Sequence, residues 1–304
     1  MKLLALQLVR LPGDWYGVAA THACKRYKMD RHSVTVSASQ SFSKKIGDAS
    51  HDLAESIAHW HIWASLAWQD TVARYRGSVI GPFWITLSMA ALIGGMSLLY
   101  TQLLHIDARV YVPYLAAGIV LWGFISGVIQ ESTAAFNQGA AIIRQSSISM
   151  FIFVWRTIYR NVIVLGHNLI IVAIVLGVSN QWAKIMPLQL AAGAVVLVLN
   201  LAWISTIFAF IGARFKDVPQ LVAALLQLAF FMTPIFWRPS GISQHRFVLD
   251  FNPLYHMLEL VRGPIMGEGI SALTWSFSFG FLAAGWLVAF LFYAAQRRRI
   301  VHYL

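Results

Sequence analysis

Residues 161–213 read NVIVLGHNLIIVAIVLGVSNQWAKIMPLQLAAGAVVLVLNLAWISTIFAFIGA, and Lys184 is their only Asp, Glu, Lys or Arg. A helix needs about 20 apolar residues to cross the hydrocarbon core of a bilayer, so this stretch is long enough to cross it twice. Asn180, Gln181 and Pro187 lie close to Lys184 and are typical of a tight turn. The stretch therefore predicts two transmembrane helices joined by a short loop.

The same composition recurs along the 304-residue chain. Six stretches of 20 residues or more carry no Asp, Glu, Lys or Arg: 77–106, 110–130, 161–183, 185–213, 218–237 and 269–296. Backbone amides find no water in lipid, and these stretches lack the alternation of polar and apolar residues that is typical of barrel strands. We predict an all-α polytopic membrane protein with six transmembrane helices, at about 82–104, 112–132, 157–179, 187–211, 218–237 and 272–295.

The chain carries a formal net charge of +11, and the positions of its basic residues indicate an orientation. If the N-terminus is cytoplasmic and six spans alternate in direction, 18 of the 23 Lys and Arg residues fall on the cytoplasmic side. The positive-inside rule then favours cytoplasmic positions for both termini. No tract combines Lys or Arg with stacking aromatic residues, so we expect no nucleic-acid partner.

The residues before the first span form two segments of different composition. Residues 1–50 are predicted to be a cytoplasmic, partly disordered extension, because the Ser-rich segment 33–50 cannot bury enough apolar surface to become ordered. Residues 51–76 are predicted to form an amphipathic helix on the membrane surface, with Trp60, Trp63 and Trp68 at headgroup depth. A soluble helix packed on a partner is the alternative.

Metal binding and disulfide formation are not expected. His51, His59 and His61 are spaced eight and two residues apart, so they do not share one face of a helix. Cys24 is the only cysteine, which excludes an intrachain disulfide.

The most specific passage is the junction into the first span, Arg74-Tyr75-Arg76-Gly77-Ser78-Val79-Ile80-Gly81-Pro82-Phe83-Trp84. Its arginines suit lipid phosphates, Gly81 and Pro82 allow a sharp turn, and Trp84 suits the membrane interface. Here the sequence resembles the membrane subunits of ABC-2-type exporters, specifically the permeases that export O-antigen, capsule and related lipid-linked polysaccharides. Those permeases carry an Arg-Tyr-Arg-x-Ser-x-x-Gly-Pro-x-Trp run at this place.

The resemblance covers about residues 55–300 and includes three further motifs, at residues 139–145, 214–217 and 252–254. It implies that residues 77–304 form an ABC-2-type transmembrane domain in the inner membrane of a bacterium. Residues 1–50 lie outside the resemblance.

The resemblance also implies roles for two groups of residues on the cytoplasmic side. The connection after the second span would be a coupling helix that docks to an ATPase subunit, and the junction motif would transmit the resulting motion. The implied junction residues are Arg74, Tyr75, Arg76, Gly81, Pro82 and Trp84. The implied contacts to the ATPase are Arg144, Gln145, Arg214, Lys216 and Asp217. A connector whose arginine only sets the topology is the alternative.

On the outer side, the resemblance implies short re-entrant helices that close a channel before the last span. A solvated extracellular loop is the alternative, which suits the apolar run 247–266 poorly. The residues of this segment are Asn252, Pro253, His256, Glu259 and Arg262. Sugar rings stack on aromatic side chains, so aromatic residues within the spans are candidates for the channel wall, although most such residues serve packing. The candidates are Trp122, Phe124, Trp203, Phe208, Phe230 and Phe231.

Energy for transport is expected to come from another chain. Ionisable groups are scarce within the spans: Glu131 ends the second, and His167 is the clearest buried candidate, although it also suits an interhelical hydrogen bond. No Gly-x-x-x-x-Gly-Lys phosphate loop occurs in the sequence. We therefore expect no catalytic residue and no cofactor on this chain. The expected partners are two nucleotide-binding subunits that hold ATP and magnesium, a second copy of this chain, a lipid-linked glycan and membrane lipids.

Two other functions remain open. An ABC-2 exporter of a drug or other small molecule would have the same architecture. A membrane enzyme acting on lipid-linked sugars would need paired carboxylates or an Asp-x-Asp metal site, and no Asp-x-Asp occurs. The preference of helix N-termini for negative charge explains the acidic residues Asp48, Asp52 and Glu55.

Overall fold

The computed structural model describes residues 42–77, 80–81, 83–146, 148–239, 247–297 and 299–304. The extension up to residue 41, which includes Cys24, lies outside these residues, as does Pro82 of the junction motif. Every regular element within the described residues is a helix, which agrees with the predicted all-α class. In chain order the helices are α1 (Phe42–Ala58), α2 (Trp60–Tyr75), α3 (Phe83–Leu104), α4 (Ala108–Ser132), α5 (Ala135–Gln138), α6 (Ala140–Gln145), α7 (Phe151–Val178), α8 (Pro187–Arg214), α9 (Val218–Met232), α10 (Phe247–Asp250), α11 (Pro253–Met266), α12 (Ala272–Gln296) and α13 (Ile300–Tyr303).

Five of these helices, α3, α4, α7, α8 and α12, are long and apolar enough to cross a membrane. The predicted sixth span, 218–237, contains α9, which is apolar but has only 15 residues. A helix of that length is about 22 Å long, whereas the hydrocarbon core is about 30 Å thick. The helix ends at Met232 because Thr233 precedes Pro234 and takes an extended conformation. Helix length alone thus supports five spans rather than six.

Local sequence accounts for the ends of several helices. Asp107, Asn252 and Ser271 each accept hydrogen bonds from backbone N–H groups in the first turn of α4, α11 and α12. Such caps satisfy donors that the helix itself leaves unpaired. Gly267 ends α11 with a φ of +75°, a conformation that glycine adopts without strain.

The long helices differ greatly in burial, with α4 at the centre. The most apolar part of α4 is 78% buried, against 11% for α3. α4 packs against α3, α7, α8 and α11. Two glycines let α8 approach its neighbours closely: a Cβ at Gly193 would overlap the carbonyl of Leu260, and one at Gly212 would overlap the carbonyl of Thr133.

The N-terminal helices α1 and α2 are separated by a bend at His59 (φ −95°, ψ 38°). α1 begins at Phe42, within the segment 33–50 that composition assigns to a disordered linker. It packs against α7 and α12 and buries Asp52 and Ser56. Tertiary contacts therefore order residues that have a low intrinsic tendency to bury surface.

α2 packs against α7 and carries the tryptophans that the sequence places at the membrane interface. Trp63 faces inward, with its ring centroid 6.4 Å from that of Trp155 and 5.4 Å from that of Tyr159. Trp60 and Trp68 stay exposed, as an interfacial position requires.

Gly212→Ala should lower the thermal stability of the purified protein, because the new Cβ would force α8 away from the carbonyl of Thr133. We expect a loss of about 1–3 kcal/mol, the usual cost of overpacking. Gly166→Ala in α7 is the matched control, since a Cβ there meets no atom within 4 Å. The control should be neutral or slightly stabilising. Thermal unfolding of both variants in one detergent tests this, and a Gly212→Ala protein as stable as wild type would contradict the close approach.

Candidate functional site

An open groove of about 640 Å³ lies between α3, α4 and α9. Its lining includes three aromatic side chains and three uncharged polar ones: Trp122, Phe230, Phe231, Ser126, Gln130 and Gln227. None of the described residues that line it is Asp, Glu, Lys or Arg. The groove thus offers aromatic faces and amide groups to a ligand, without a fixed charge.

Gln130 connects the groove to the first turn of α9. Its side-chain nitrogen donates a hydrogen bond to the carbonyl of Pro219 (2.9 Å). Its side-chain oxygen is buried and has no hydrogen-bond partner among the described residues. Ser126 is occupied within α4, because its hydroxyl donates to the carbonyl of Trp122 (2.6 Å). Gln227 is exposed, so its amide is the polar group of the groove that a ligand hydroxyl can reach, whereas the acceptor of Gln130 is unpaired among the described residues but buried.

The six aromatic residues proposed from the sequence fall into three places, and three of them line the groove. Trp203 and Phe208 instead line a separate apolar cavity of about 410 Å³ between α8, α9, α11 and α12. The indole nitrogen of Trp203 donates to the side chain of Asn200 (3.1 Å), which leaves it no free donor. Phe124 is 5% exposed and lies in the core. The structure therefore does not bring the six together on one surface.

An ion-pair network of Asp70, Arg74, Glu131, Arg156 and Arg160 joins α2 to α4 and α7. Arg156 donates two hydrogen bonds to the carboxylate of Asp70, at 2.7 and 2.6 Å. Arg160 donates one to the same carboxylate, at 3.2 Å. Asp70 thus binds two arginines of α7. The Arg156 contact is bidentate, which is the stronger geometry for an ion pair.

Glu131, at the end of α4, is the second carboxylate of the network. It accepts two hydrogen bonds from Arg160 (3.0 and 2.8 Å), one from Arg74 (3.0 Å) and one from Asn161 (2.8 Å). The Arg160 side chain is only 6% exposed. A charge so buried is tolerated because it is paired on both sides, and removal of one partner would be costly.

The junction motif contributes one residue to this network, Arg74. Tyr75 is half-buried, its hydroxyl has no hydrogen-bond partner among the described residues, and burial raises its pKa. Arg76 and Trp84 are exposed, as a contact with lipid headgroups requires. Gly81 has a φ of +59°, so the turn into α3 uses a backbone conformation that suits glycine.

The residues proposed to contact an ATPase lie on exposed ends of helices. Arg144 and Gln145 end α6 and are exposed, whereas Ile143 is buried and holds the helix in place. Arg214 lies over the rings of Phe215 (5.1 Å) and Tyr303 (5.5 Å). Lys216 and Asp217 are exposed in the turn that follows. α13 packs against both α6 and α8, which places the two groups at the same end of the molecule.

The residues of the outer segment lie mostly inside the structure. Asn252 caps α11 and Pro253 is its first residue. His256 is buried, with one ring nitrogen 3.2 Å from the hydroxyl of Thr274 and the other 2.9 Å from the carbonyl of Asp250. Arg262 is 1% exposed and pairs with Glu259 one turn before it. These residues hold α10, α11 and α12 together, so a solvated loop does not describe this segment.

Sequence reasoning missed the ion-pair network. It used Arg156 and Arg160 only to orient the chain, and noted Glu131 only as a charge at the end of a span. Two signals were available. Asp70 and Arg74 are four residues apart and share a face of α2, and Arg156 and Arg160 are four residues apart and share a face of α7.

A second charged cluster, also missed, ties α1 to the last long helix. Tyr293 and Arg297 donate to the carboxylate of Asp52 (2.5 and 2.8 Å), and Asp48 pairs with Arg297 at 3.5 Å. Burial raises the pKa of Asp52. Asp48 and Asp52 lie inside α1 rather than in its first turn. Their partner is Arg297, not the helix N-terminus.

The groups around His51 and the ring of His167 are both engaged in other contacts. His51 lies beside Asp52 and Glu55, with three potential ligand atoms within 4.8 Å of one another, but the oxygens of Asp52 already accept from α12 and Arg297. His167 bonds to the carbonyl of Ile163 in its own helix (2.8 Å), rather than to a neighbouring helix.

No protein-family model matches this chain. It is 20% identical over 196 residues to the O-antigen export system permease protein RfbA of Klebsiella pneumoniae, covering 62% of this chain and 74% of that protein. It is 23% identical over 204 residues to a second protein of that name from the same organism, with the same coverage. It is 24% identical over 203 residues to the O-antigen export system permease protein RfbA of Myxococcus xanthus, covering 64% of this chain and 76% of that protein. The resemblance inferred from the junction motif is thereby confirmed.

Glu131→Gln should loosen the attachment of α2, because a neutral amide cannot balance Arg74 and Arg160. We expect a stability loss of about 1–3 kcal/mol, below the cost for a fully buried pair because the Glu131 side chain is 24% exposed. Glu268→Gln, at an exposed carboxylate, is the matched control. Thermal unfolding and the rate of proteolysis within α2 provide the measurement. Equal shifts in the two variants would show that the network does not hold α2.

Proposed function

We propose that this chain is the membrane-spanning permease subunit of an ATP-driven exporter that moves a lipid-linked polysaccharide, of the O-antigen or capsule type, across the inner membrane of a bacterium. The three relatives are named as O-antigen export permeases, which supports this substrate class. The single structural observation that carries the proposal is the chemistry of the groove between α3, α4 and α9.

The groove suits a long neutral polymer. Sugar rings present apolar faces that stack on aromatic side chains, and Trp122, Phe230 and Phe231 provide such faces on two of the three walls. Sugar hydroxyls pair with amides such as that of Gln227, which is exposed in the groove. Without a charged group or a closed pocket, the wall holds each sugar weakly, which allows a chain to slide through it.

One copy of the chain supplies only part of such a path. The groove is open on one side, and most of α3 beside it is exposed. A second copy related by a two-fold axis would close the path, and a homodimer is the commonest assembly that does so. A lipid-linked glycan would then enter from the side, near α2.

ATP hydrolysis is assigned to two copies of a separate nucleotide-binding subunit, which would hold the ATP and magnesium. These subunits would dock on the α5–α6 connection around Arg144 and Gln145, and on the turn with Arg214, Lys216 and Asp217. α5 is bonded to α8 through the side chain of Asn137, which donates to the carbonyl of Gly212 (3.2 Å). Motion of the docked subunit would therefore reach α8 directly, and α2 through the ion-pair network.

This function requires a specific topology. α1 and α2 would lie along the cytoplasmic surface, both chain termini would be cytoplasmic, and α10 and α11 would dip into the outer leaflet. α9 together with the extended residues after it would make a sixth crossing. A drug exporter or a membrane enzyme would give other phenotypes when the gene is deleted.

Deletion of the gene in its host should abolish the surface polysaccharide and leave lipid-linked glycan in the cytoplasmic leaflet, because the polymer is made but not moved. Complementation with the wild-type chain should restore export. Surface glycan is measured by immunoblot, and the lipid-linked pool by extraction. Drug susceptibility that rises while surface glycan persists would favour a drug exporter. Loss of the lipid-linked pool itself would favour an enzyme.

Arg144→Glu should weaken co-purification of the ATPase subunit and reduce export at least tenfold, because a reversed charge at an interface costs several kcal/mol. Arg144→Lys keeps the charge and should retain most of the export. Arg109→Glu, at an exposed arginine on the predicted outer side, is the matched control and should retain both properties. Wild-type export by the Arg144→Glu protein would remove Arg144 from the docking surface.

A further inference from the structure

The residues after α9 leave the helix while the chain is still within the predicted sixth span. Thr233 is extended, and residues 233–237 form no regular element. Their backbone carbonyls cannot be satisfied by a helix, and non-helical backbone at membrane depth is tolerated only where the protein supplies partners. Three of these carbonyls, those of Pro234, Phe236 and Trp237, receive hydrogen bonds from side chains.

Two tyrosines of α4 supply hydrogen bonds to these carbonyls. The hydroxyl of Tyr111 donates to the carbonyl of Phe236 (2.6 Å). The hydroxyl of Tyr114 lies within hydrogen-bond distance of the carbonyls of Pro234 (3.0 Å) and Trp237 (3.1 Å). The tyrosines are three residues apart, so both face the same side of α4.

Arg262 of α11 lies against Tyr114 and binds one of the same carbonyls. It donates to the carbonyl of Pro234 (2.6 Å), and its guanidinium lies 4.1 Å from the centre of the Tyr114 ring. It is 1% exposed and also pairs with Glu259. An arginine held by an ion pair, a carbonyl and an aromatic face has little freedom to move.

The same residues determine where α9 lies. Val222 is the only residue of α9 that is buried, and the helix lies between the groove and the apolar cavity. Little packing therefore fixes its middle. Its first turn is bonded to Gln130, and its outer end continues directly into residues 233–237.

We propose that Tyr111, Tyr114 and Arg262 form an outer clamp, and that these positioning residues set the outer width of the groove. The clamp holds residues 233–237 against α4 and α11, and through them it holds the part of α9 that carries Phe230 and Phe231. This role in transport rests on the function proposed above. The clamp itself is a property of the fold that is measured without transport.

The test uses a buried reporter in the clamped segment. Ile235 is fully buried, so a cysteine at that position should react slowly with a thiol reagent while the clamp is closed. Cys24→Ser removes the native thiol. The full-length chain in lipid nanodiscs, carrying Ile235→Cys, is compared with and without Tyr111→Phe and Tyr114→Phe. The two Phe substitutions remove the hydroxyls and keep the rings. We expect labelling about tenfold faster, because each hydrogen bond changes a local opening equilibrium by up to about tenfold.

Two controls separate a local change from general unfolding. Tyr100→Phe removes the hydroxyl of a neighbouring tyrosine whose ring contacts those of Tyr111 and Phe236, and it should leave labelling unchanged. Val222→Cys reports the opposite end of α9 and should stay protected in the double-Phe protein. Unchanged labelling at Ile235→Cys, or equal acceleration at Val222→Cys, would overturn the clamp.

Export then tests the part of the proposal that concerns transport. In cells, the double-Phe protein should export severalfold less glycan than the Tyr100→Phe protein at equal membrane abundance, and Arg262→Lys should behave like the double-Phe protein. Faster labelling with wild-type export would overturn the positioning role in transport and leave the clamp in place. If the wild-type chain itself exports no glycan, the proposed function fails, while the labelling result still decides the clamp.

Discussion

Polar and charged groups inside a membrane need partners within the protein, because lipid supplies none. In the described residues, buried polar and charged side chains pair with one another at the places where one helix contacts another. The ion-pair network joins α2 to α4 and α7, Asp52 joins α1 to α12, and Arg262 joins α11 to α4 and the end of α9. Apolar helices pack on one another with little preference over lipid, since lipid tails are equally apolar. The directional contacts therefore select which helix faces meet.

The helices around the groove differ in how firmly they are held. α4 is mostly buried, whereas α3 is mostly exposed and α9 buries Val222 alone. Close-packed surfaces resist displacement, because every shift opens voids or causes overlap. A change in groove width therefore costs least if α3 and α9 move and α4 stays fixed. The apolar cavity behind α9 leaves space on its far side for such a shift.

Composition predicts most of the helices here, because a long uncharged run in lipid has few other conformations available. Composition does not predict where a helix begins or ends when something other than hydropathy determines that point. The run 218–237 carries no charged residue, yet the extended Thr233 before Pro234 ends the helix. α1 extends into a Ser-rich segment, and its Asp52 binds Tyr293, 241 residues further along the chain. No pattern in a single sequence pairs such distant residues. The network around Glu131 was missed for the same reason, because only the four-residue spacings of Asp70 and Arg74 and of Arg156 and Arg160 were visible.

α4 connects the three places where chemistry is concentrated. Tyr114 near its start holds the outer clamp, Trp122 and Gln130 line the groove, and Glu131 near its end holds the ion-pair network. All four residues lie on one uninterrupted helix of 25 residues. Because that helix is mostly buried and packs against α7, α8 and α11, it is the most firmly held wall of the groove. The ion-pair network and the outer clamp therefore lie at the two ends of the same wall of the groove, and α3 and α9 are the walls that can shift against it.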